Sequence, residues 1–164
     1  MPDNPAALLA VSTAAFAPVL MPVQSGLFLL LLLAVSFCDI RSREIPDSLQ
    51  IAIAALTFLC FSPGNLPGIL GALPYLVIAL FFGGIHSIGG GDIKLAASTG
   101  LVLGLPASLT ASMLGLAAFT VYGSICSCIR QIHGQKGKTA FPVGPFLAAG
   151  SAAAYLMKIG GLIL

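Results

Sequence analysis

The chain has 164 residues, of which 58% are hydrophobic and only 7% are charged, and its mean hydropathy is +1.06. Soluble domains usually carry about 25% charged residues, so this composition excludes an ordinary soluble domain and indicates an integral membrane protein. A spanning helix takes about 20 residues, which allows about six spans in this length. The net charge of +2 gives no indication of a nucleic-acid partner, and none is expected.

The N-terminal stretch, PAALLAVSTAAFAPVLMP at residues 5–22, is apolar but rich in alanine and closed by prolines. It is preceded by Asp3 without any lysine or arginine, whereas a secretory signal needs a basic start. We therefore expect residues 1–23 to form an extra segment that lies at the membrane interface or inserts poorly. The alternative is a seventh spanning helix. Residues 24–164 are expected to form the membrane domain.

Apolar runs bounded by proline, glycine and charged residues predict an all-α fold, a polytopic membrane bundle of about six helices. The runs leave almost nothing for a soluble domain. The predicted spans are residues 24–39, 47–62, 68–84, 92–105, 107–129 and 141–160.

The few basic residues predict the orientation of the bundle. The connections SPGNLPG and GLP carry no cation, so the positive-inside rule places the opposite, basic connections in the cytosol. Lys158 is the exception, and it lies near a helix end where its ammonium can reach the interface. Six of the seven lysines and arginines fall on the basic side: Arg41, Arg43, Lys94, Arg130, Lys136 and Lys138.

Two aspartates fall at predicted helix ends on the cytosolic side. Asp39 ends span one in SFCDIRSREIPDSLQ, and Asp92 opens span four, so the topology places both carboxylates at one membrane depth, where they can meet. A solvated helix end is the alternative for each. We favour that alternative for Asp47, because Pro46 suits the first helical position and an acid in the first turn interacts favourably with the helix dipole. Glu44 is interpreted as a loop charge.

Three glycines, residues 89–91, come directly before Asp92. Without side chains, their backbone can approach another chain closely, as an extended peptide substrate would require. A flexible connector is the alternative, and the spacing of a phosphate-binding loop is absent. His86 and His133 are expected to be solvated loop residues.

A pair of carboxylates has a definite chemistry. Two carboxylates held close together do not both ionise easily, so one keeps its proton when the other has lost it. One can then deprotonate a water while the other donates a proton to a peptide carbonyl, as in aspartic proteases. No cofactor is required. The four cysteines form no C-x-x-C pair, so neither a metal nor a redox site is expected.

At these residues the chain resembles the type IV prepilin peptidase family, membrane aspartic peptidases of the G-x-G-D kind. DIRSREIPDSL from Asp39 resembles the first catalytic block of that family, and GGGDIK at 89–94 fits its G-x-G-D-x-K block. FPVGPFLAAG at 141–150 is similar to the block at the last helix. The order and spacing of the three blocks agree over roughly residues 25 to 160.

The resemblance implies that Asp39 and Asp92 are the catalytic aspartates. Gly89 and Gly91 match the motif glycines, and Lys94 matches the basic residue of the motif. Two residues along a helix turn about 200°, so we expect Lys94 to face away from Asp92 and to orient the loop or bind lipid phosphate.

The resemblance also implies a substrate and a place of action. The family removes the short leader of prepilins or pseudopilins at the cytosolic face of the bacterial inner membrane, so these precursors and membrane lipid are the expected partners. Pro46 and Pro145 lie in the matching blocks and are expected to shape the site. Larger members carry an extension with C-x-x-C pairs and a methyltransferase activity. We expect here the short form without that region.

The residues alone are compatible with three other functions. Another G-x-G-D intramembrane protease, of the presenilin or signal-peptide-peptidase type, resembles the chain at one block only. A small cation or proton transporter also uses membrane carboxylates, although its sites usually lie nearer the midplane. A purely structural protein of pilus assembly is the third. The oligomeric state is left open.

Overall fold

The computed structural model describes the backbone of residues 5–81, 89–133 and 142–163, and side chains from residue 19 onward. Within these ranges the fold contains helices and no strand, which confirms the predicted all-α class. Two 3₁₀ segments, Leu56–Phe58 and Pro63–Ala72, accompany six α-helices. The helices are α1 (Pro5–Ser42), α2 (Asp47–Ala55), α3 (Leu73–Phe81), α4 (Gly90–Leu103), α5 (Leu105–Ile132) and α6 (Gly144–Ile159).

Each of the six predicted spans corresponds to one helical region. Among the described residues, three stretches are long and apolar enough to cross a membrane: Val19–Ser42, Pro63–Phe81 and Leu105–Ile132. The other three are shorter, since α4 has 14 residues, α6 has 16, and Asp47–Phe58 is a short apolar helix. The bundle therefore combines long helices with shorter ones packed between them.

The third predicted span begins as a 3₁₀ segment and becomes α-helical only at Leu73. Pro67 lies inside the 3₁₀ segment and has no backbone N–H to donate, and Gly68 and Gly71 favour the helix poorly. The sequence analysis did not predict this change of helix type.

Helix α1 continues without a break from Pro5 to Ser42, and its part from Val19 onward is apolar enough to span a membrane. How residues 5–18 meet the membrane, and the boundary at residue 23, stay predictions. Asp3, His86, Lys136 and Lys138 lie outside the described residues.

The helices pack through glycines at their crossings. Gly68 in the 3₁₀ segment and Gly100 in α4 face one another so closely that a Cβ on either would overlap the backbone carbonyl of the other. A Cβ on Gly150 of α6 would come 2.5 Å from the Ala111 carbonyl oxygen of α5 and 2.8 Å from the Gly115 nitrogen. Small residues at such crossings are typical of membrane helices, where close backbone contact replaces a hydrophobic driving force.

Buried polar side chains join the helices as well. The Ser112 hydroxyl donates to the Gly71 carbonyl at 2.6 Å, and the Gln24 amide donates to the Leu56 carbonyl at 2.9 Å. Both side chains are buried. A polar group in the bilayer core requires a partner inside the protein, so these bonds add specificity to the packing.

Lys158 binds the end of α4 that lies opposite Asp92. Its ammonium donates to the Leu103 carbonyl at 2.7 Å and to Asn65 Oδ1 at 3.4 Å. A cation at a helix C-terminus is favourable because the last carbonyls lack partners. The structure thus gives Lys158 a partner within the protein, where the sequence analysis proposed only that its side chain reaches the interface.

The Gly68–Gly100 crossing generates a prediction about stability. We expect Gly100→Ala to lower the free energy of unfolding by about 1–3 kcal/mol, because the added methyl forces two backbones apart. The measurement is thermal unfolding in detergent, followed by circular dichroism. Gly123→Ala on α5 is the matched control, since a Cβ there meets nothing within 4 Å, and its midpoint is expected to stay or rise. Equal midpoints for the two variants would contradict this account of the packing.

Candidate active site

The structure brings Asp39 and Asp92 to one cavity. Asp39 lies in the last turn of α1 and Asp92 in the first turn of α4, and their exposed fractions are only 6% and 8%. Both line a cavity of about 570 Å³, together with the loop after α1 and the glycines at the start of α4. The two buried carboxylates, which the topology predicts at one membrane depth, therefore share one cavity.

Asp92 owes its position to the way α4 begins. Gly89 is the capping residue in an extended conformation, and its carbonyl accepts a hydrogen bond from the Asp92 N–H at 3.0 Å. A Cβ on Gly89 would lie 3.5 Å from Asp92 Oδ2, so the glycine backbone runs directly beside the carboxylate. Gly89 and Gly91 both line the cavity.

Asp39 is held by the beginning of α6. The Gly144 N–H donates a hydrogen bond to Asp39 Oδ2 at 2.9 Å, and this contact is buried. The N-terminus of a helix presents unpaired N–H groups and a positive dipole end, so it stabilises a carboxylate. A Cβ on Gly144 would come 2.7 Å from Oδ2 and 2.9 Å from Cγ of Asp39. Only glycine fits this position without a shift of the carboxylate.

The sequence analysis did not identify Gly144 as a site residue. It noted the block FPVGPFLAAG as a whole and chose Pro145 from it. Pro145 lies instead beside a separate apolar groove between α1 and α6, of about 320 Å³. The available signal was the glycine directly before a proline, a pattern typical of a helix start.

A second site residue that the sequence analysis missed is Gln50 on α2. Its side chain is buried, and its amide donates to the carbonyls of Gly91 at 3.3 Å and Ile45 at 3.4 Å. It thereby joins the glycines before Asp92 to the loop after Asp39. The only sequence signal was a polar residue at the start of an apolar run.

Lys94 lies on the rim of the cavity and forms an ion pair with Asp47 on α2, with 3.0 Å between Nζ and Oδ1. Both side chains are exposed, at 62% and 68%, so the pair contributes little to stability. Asp47 begins α2, as predicted, but Pro46 is the capping residue and not the first helical residue, because its ψ of 132° is extended. Pro46 also lines the cavity.

The loop after α1 has an unusual backbone. Arg43 has a φ of +55°, and its N–H donates to the Asp39 carbonyl at 2.9 Å, which closes the helix. Arg43 and Glu44 both line the cavity. The sequence analysis interpreted Glu44 as a loop charge and used Arg43 only as one of the basic residues that predict the orientation.

Among the described residues, no group of three or more histidine, cysteine, aspartate or glutamate side chains is placed to hold a metal ion. His133 is exposed at the end of α5, where a ring nitrogen contacts the Ile129 carbonyl at 2.9 Å. The two buried carboxylates of the cavity are groups that can activate a water and protonate a carbonyl.

Comparison with known proteins identifies the same family that the three sequence blocks resemble. The model of the type IV leader peptidase family matches residues 26–126. A prepilin leader peptidase/N-methyltransferase of Bacillus subtilis (strain 168) is 35% identical over 140 residues, which are 79% of this chain and 53% of the relative. One of Burkholderia pseudomallei (strain 1026b) is 32% identical over 133 residues, 74% of this chain and 42% of the relative. No solved structure matches.

The chain spans about half the length of these curated relatives. The matched region contains the ends of α1 and α4 that carry Asp39 and Asp92. The family that the three sequence blocks suggested is confirmed. This chain belongs to the type IV leader peptidase family.

Proposed function

We propose that this chain is a membrane aspartic endopeptidase that removes the leader peptide of type IV prepilins or pilin-like precursors. The observation that carries the proposal is the meeting of Asp39 and Asp92, both buried, in one cavity. Prepilin leader peptidases among the relatives support the substrate class. The proposal covers the peptidase activity alone.

The reaction needs one water and the two carboxyl groups. The ionised carboxylate takes a proton from water, whose oxygen attacks the carbonyl carbon, while the protonated carboxyl donates its proton to the carbonyl oxygen. The tetrahedral intermediate then collapses and the C–N bond breaks. The leaving nitrogen takes the proton that the first carboxylate had gained, and one hydroxyl of the intermediate returns a proton to the second carboxylate, so both groups are restored. No acyl-enzyme forms. The cavity volume lies within the usual range of ligand sites.

We place the cavity at the cytosolic face of the bacterial inner membrane. The end of α1 and the start of α4 lie at the same end of the bundle as Arg41, Arg43 and Lys94, and clustered cations favour the cytosolic side. Lys158 binds the other end of α4. A peptide leader that stays in the cytosol would reach the cavity without crossing the membrane.

The alternatives find less support. A transporter would need carboxylates near the middle of its spans, whereas Asp39 and Asp92 lie at helix ends beside an open cavity. Other G-x-G-D proteases share one block with this chain. The family match extends over residues 26–126 and includes both blocks that carry the aspartates.

The first test removes one carboxylate at a time. We expect Asp39→Asn and Asp92→Asn each to reduce leader removal on the order of 10³-fold or more, because an amide can neither accept the proton of water nor donate one as an acid. The measurement is co-expression with prepilins of the same genome and with a prepilin that the Bacillus subtilis relative cleaves, followed by the mobility shift on a gel.

Asp47→Asn is the matched control, since Asp47 lines the same cavity but is exposed and paired with Lys94. We expect this variant to keep cleavage. Membrane fractionation checks that all three variants insert. Cleavage that survives both Asp39→Asn and Asp92→Asn would exclude the proposed mechanism.

The second test addresses the start of α6. We expect Gly144→Ala to reduce cleavage about 10- to 100-fold, because the methyl displaces the Asp39 carboxylate, and a shift of about 1 Å in a catalytic group has an effect of this size. The same gel assay measures it. Gly123→Ala, with open space at its Cβ, should cleave like the wild type. Full activity in Gly144→Ala would show that the Gly144–Asp39 contact does not position the carboxylate.

A further inference from the structure

Arg43 has a backbone conformation that its residue type disfavours. Its φ of +55° is the only positive value at a non-glycine among the described residues. The residue follows the last turn of α1, where glycine or asparagine is usual because other side chains are strained in the left-handed region. Strain of this kind is often found at functional sites, where the side chain compensates for it.

Arg43 is one of the residues that line the cavity of Asp39 and Asp92, and it is exposed. Within the described part of the chain, its guanidinium makes no ion pair within 4.0 Å and no side-chain hydrogen bond. The other cation at the cavity, Lys94, is held by Asp47 at 3.0 Å. The Ser42 hydroxyl donates to the Cys38 carbonyl at 2.7 Å.

These contacts leave the cavity rich in acceptors and poor in donors. Ionised carboxylates only accept hydrogen bonds, so apart from the one protonated carboxyl, which donates to the scissile carbonyl, they can satisfy the N–H groups of a bound peptide but not its other carbonyl oxygens. A carbonyl that loses its water requires a donor. A guanidinium offers five N–H groups in a planar fork, and within the described residues those of Arg43 donate no hydrogen bond. The carboxylates that line the cavity are Asp39, Glu44, Asp47 and Asp92.

We propose that Arg43 is a substrate-binding residue, whose guanidinium donates hydrogen bonds to backbone carbonyl oxygens of the peptide segment that lies across the cavity. This inference rests on the proposed function. It explains why an arginine occupies a position where glycine would be less strained, since glycine would leave the cavity without this donor.

The test uses two substitutions that suit a positive φ. Arg43→Gly and Arg43→Asn both relieve the backbone, so their unfolding midpoints should equal or exceed that of the wild type. We expect each to raise KM for a prepilin about tenfold, the effect of losing a hydrogen bond to a charged group, with kcat changed less than twofold. Arg43→Lys, which keeps the charge and some donors, should recover part of the loss.

The assay uses the full chain in vesicles of phosphatidylethanolamine and phosphatidylglycerol, with a purified prepilin. Arg41→Ala is the matched control, because it removes the same charge from the last turn of α1 but lies outside the cavity lining. Its KM should stay at the wild-type value.

An unchanged KM in Arg43→Gly and Arg43→Asn would overturn the inference. A fall in kcat with no change in KM would also overturn it, since Arg43 would then act on the aspartates. An equal rise of KM in Arg41→Ala would overturn it as well. If Asp39→Asn abolishes cleavage in the same assay while the Arg43 variants behave like the wild type, only this inference fails. Absence of cleavage by the wild type would overturn the proposed function as well.

Discussion

Close contact between helix backbones at glycines is the constraint on which the rest of this structure depends. Lipid offers no hydrophobic driving force between helices, so association rests on van der Waals contact and internal hydrogen bonds. At the Gly68–Gly100 crossing α4 packs against the 3₁₀ segment Pro63–Ala72, and at the Gly150 crossing α6 packs against α5. The N-termini of α4 and α6 are thereby placed beside the end of α1, and the cavity is lined by the end of α1, the loop after it and the starts of α2 and α4.

The two aspartates are held by different elements. Asp39 receives the Gly144 N–H from α6, whereas Asp92 belongs to the first turn of α4 itself. A carboxylate near a membrane is costly unless it has water or a protein partner, and each aspartate has a helix N-terminus on one side and the cavity on the other. The exposed Lys94–Asp47 pair adds little. Buried contacts, and not rim charges, therefore determine the geometry of the site.

Much of the fold follows from local patterns. Apolar runs of helical length predict the six helices, because a segment in the bilayer must make the hydrogen bonds of its backbone N–H and C=O groups within itself. The meeting of Asp39 and Asp92 follows from topology, because every second helix end lies on the same side. The 3₁₀ segment was not predicted, since the effect of Pro67 depends on how Gly68 packs against α4. The role of the aspartates in catalysis stays a prediction.

The sequence by itself determined the membrane class, the number of helices, the family and the two candidate aspartates, because hydropathy, motif spacing and charge depend only on the order of the residues. The tertiary structure decided the Gly144 contact with Asp39, the Gln50 contact with Gly91 and the place of Arg43 in the cavity lining. These join residues distant in sequence or depend on one backbone angle. Periodicity shows which residues share a helix face, but only packing sets how each helix is rotated against its neighbours.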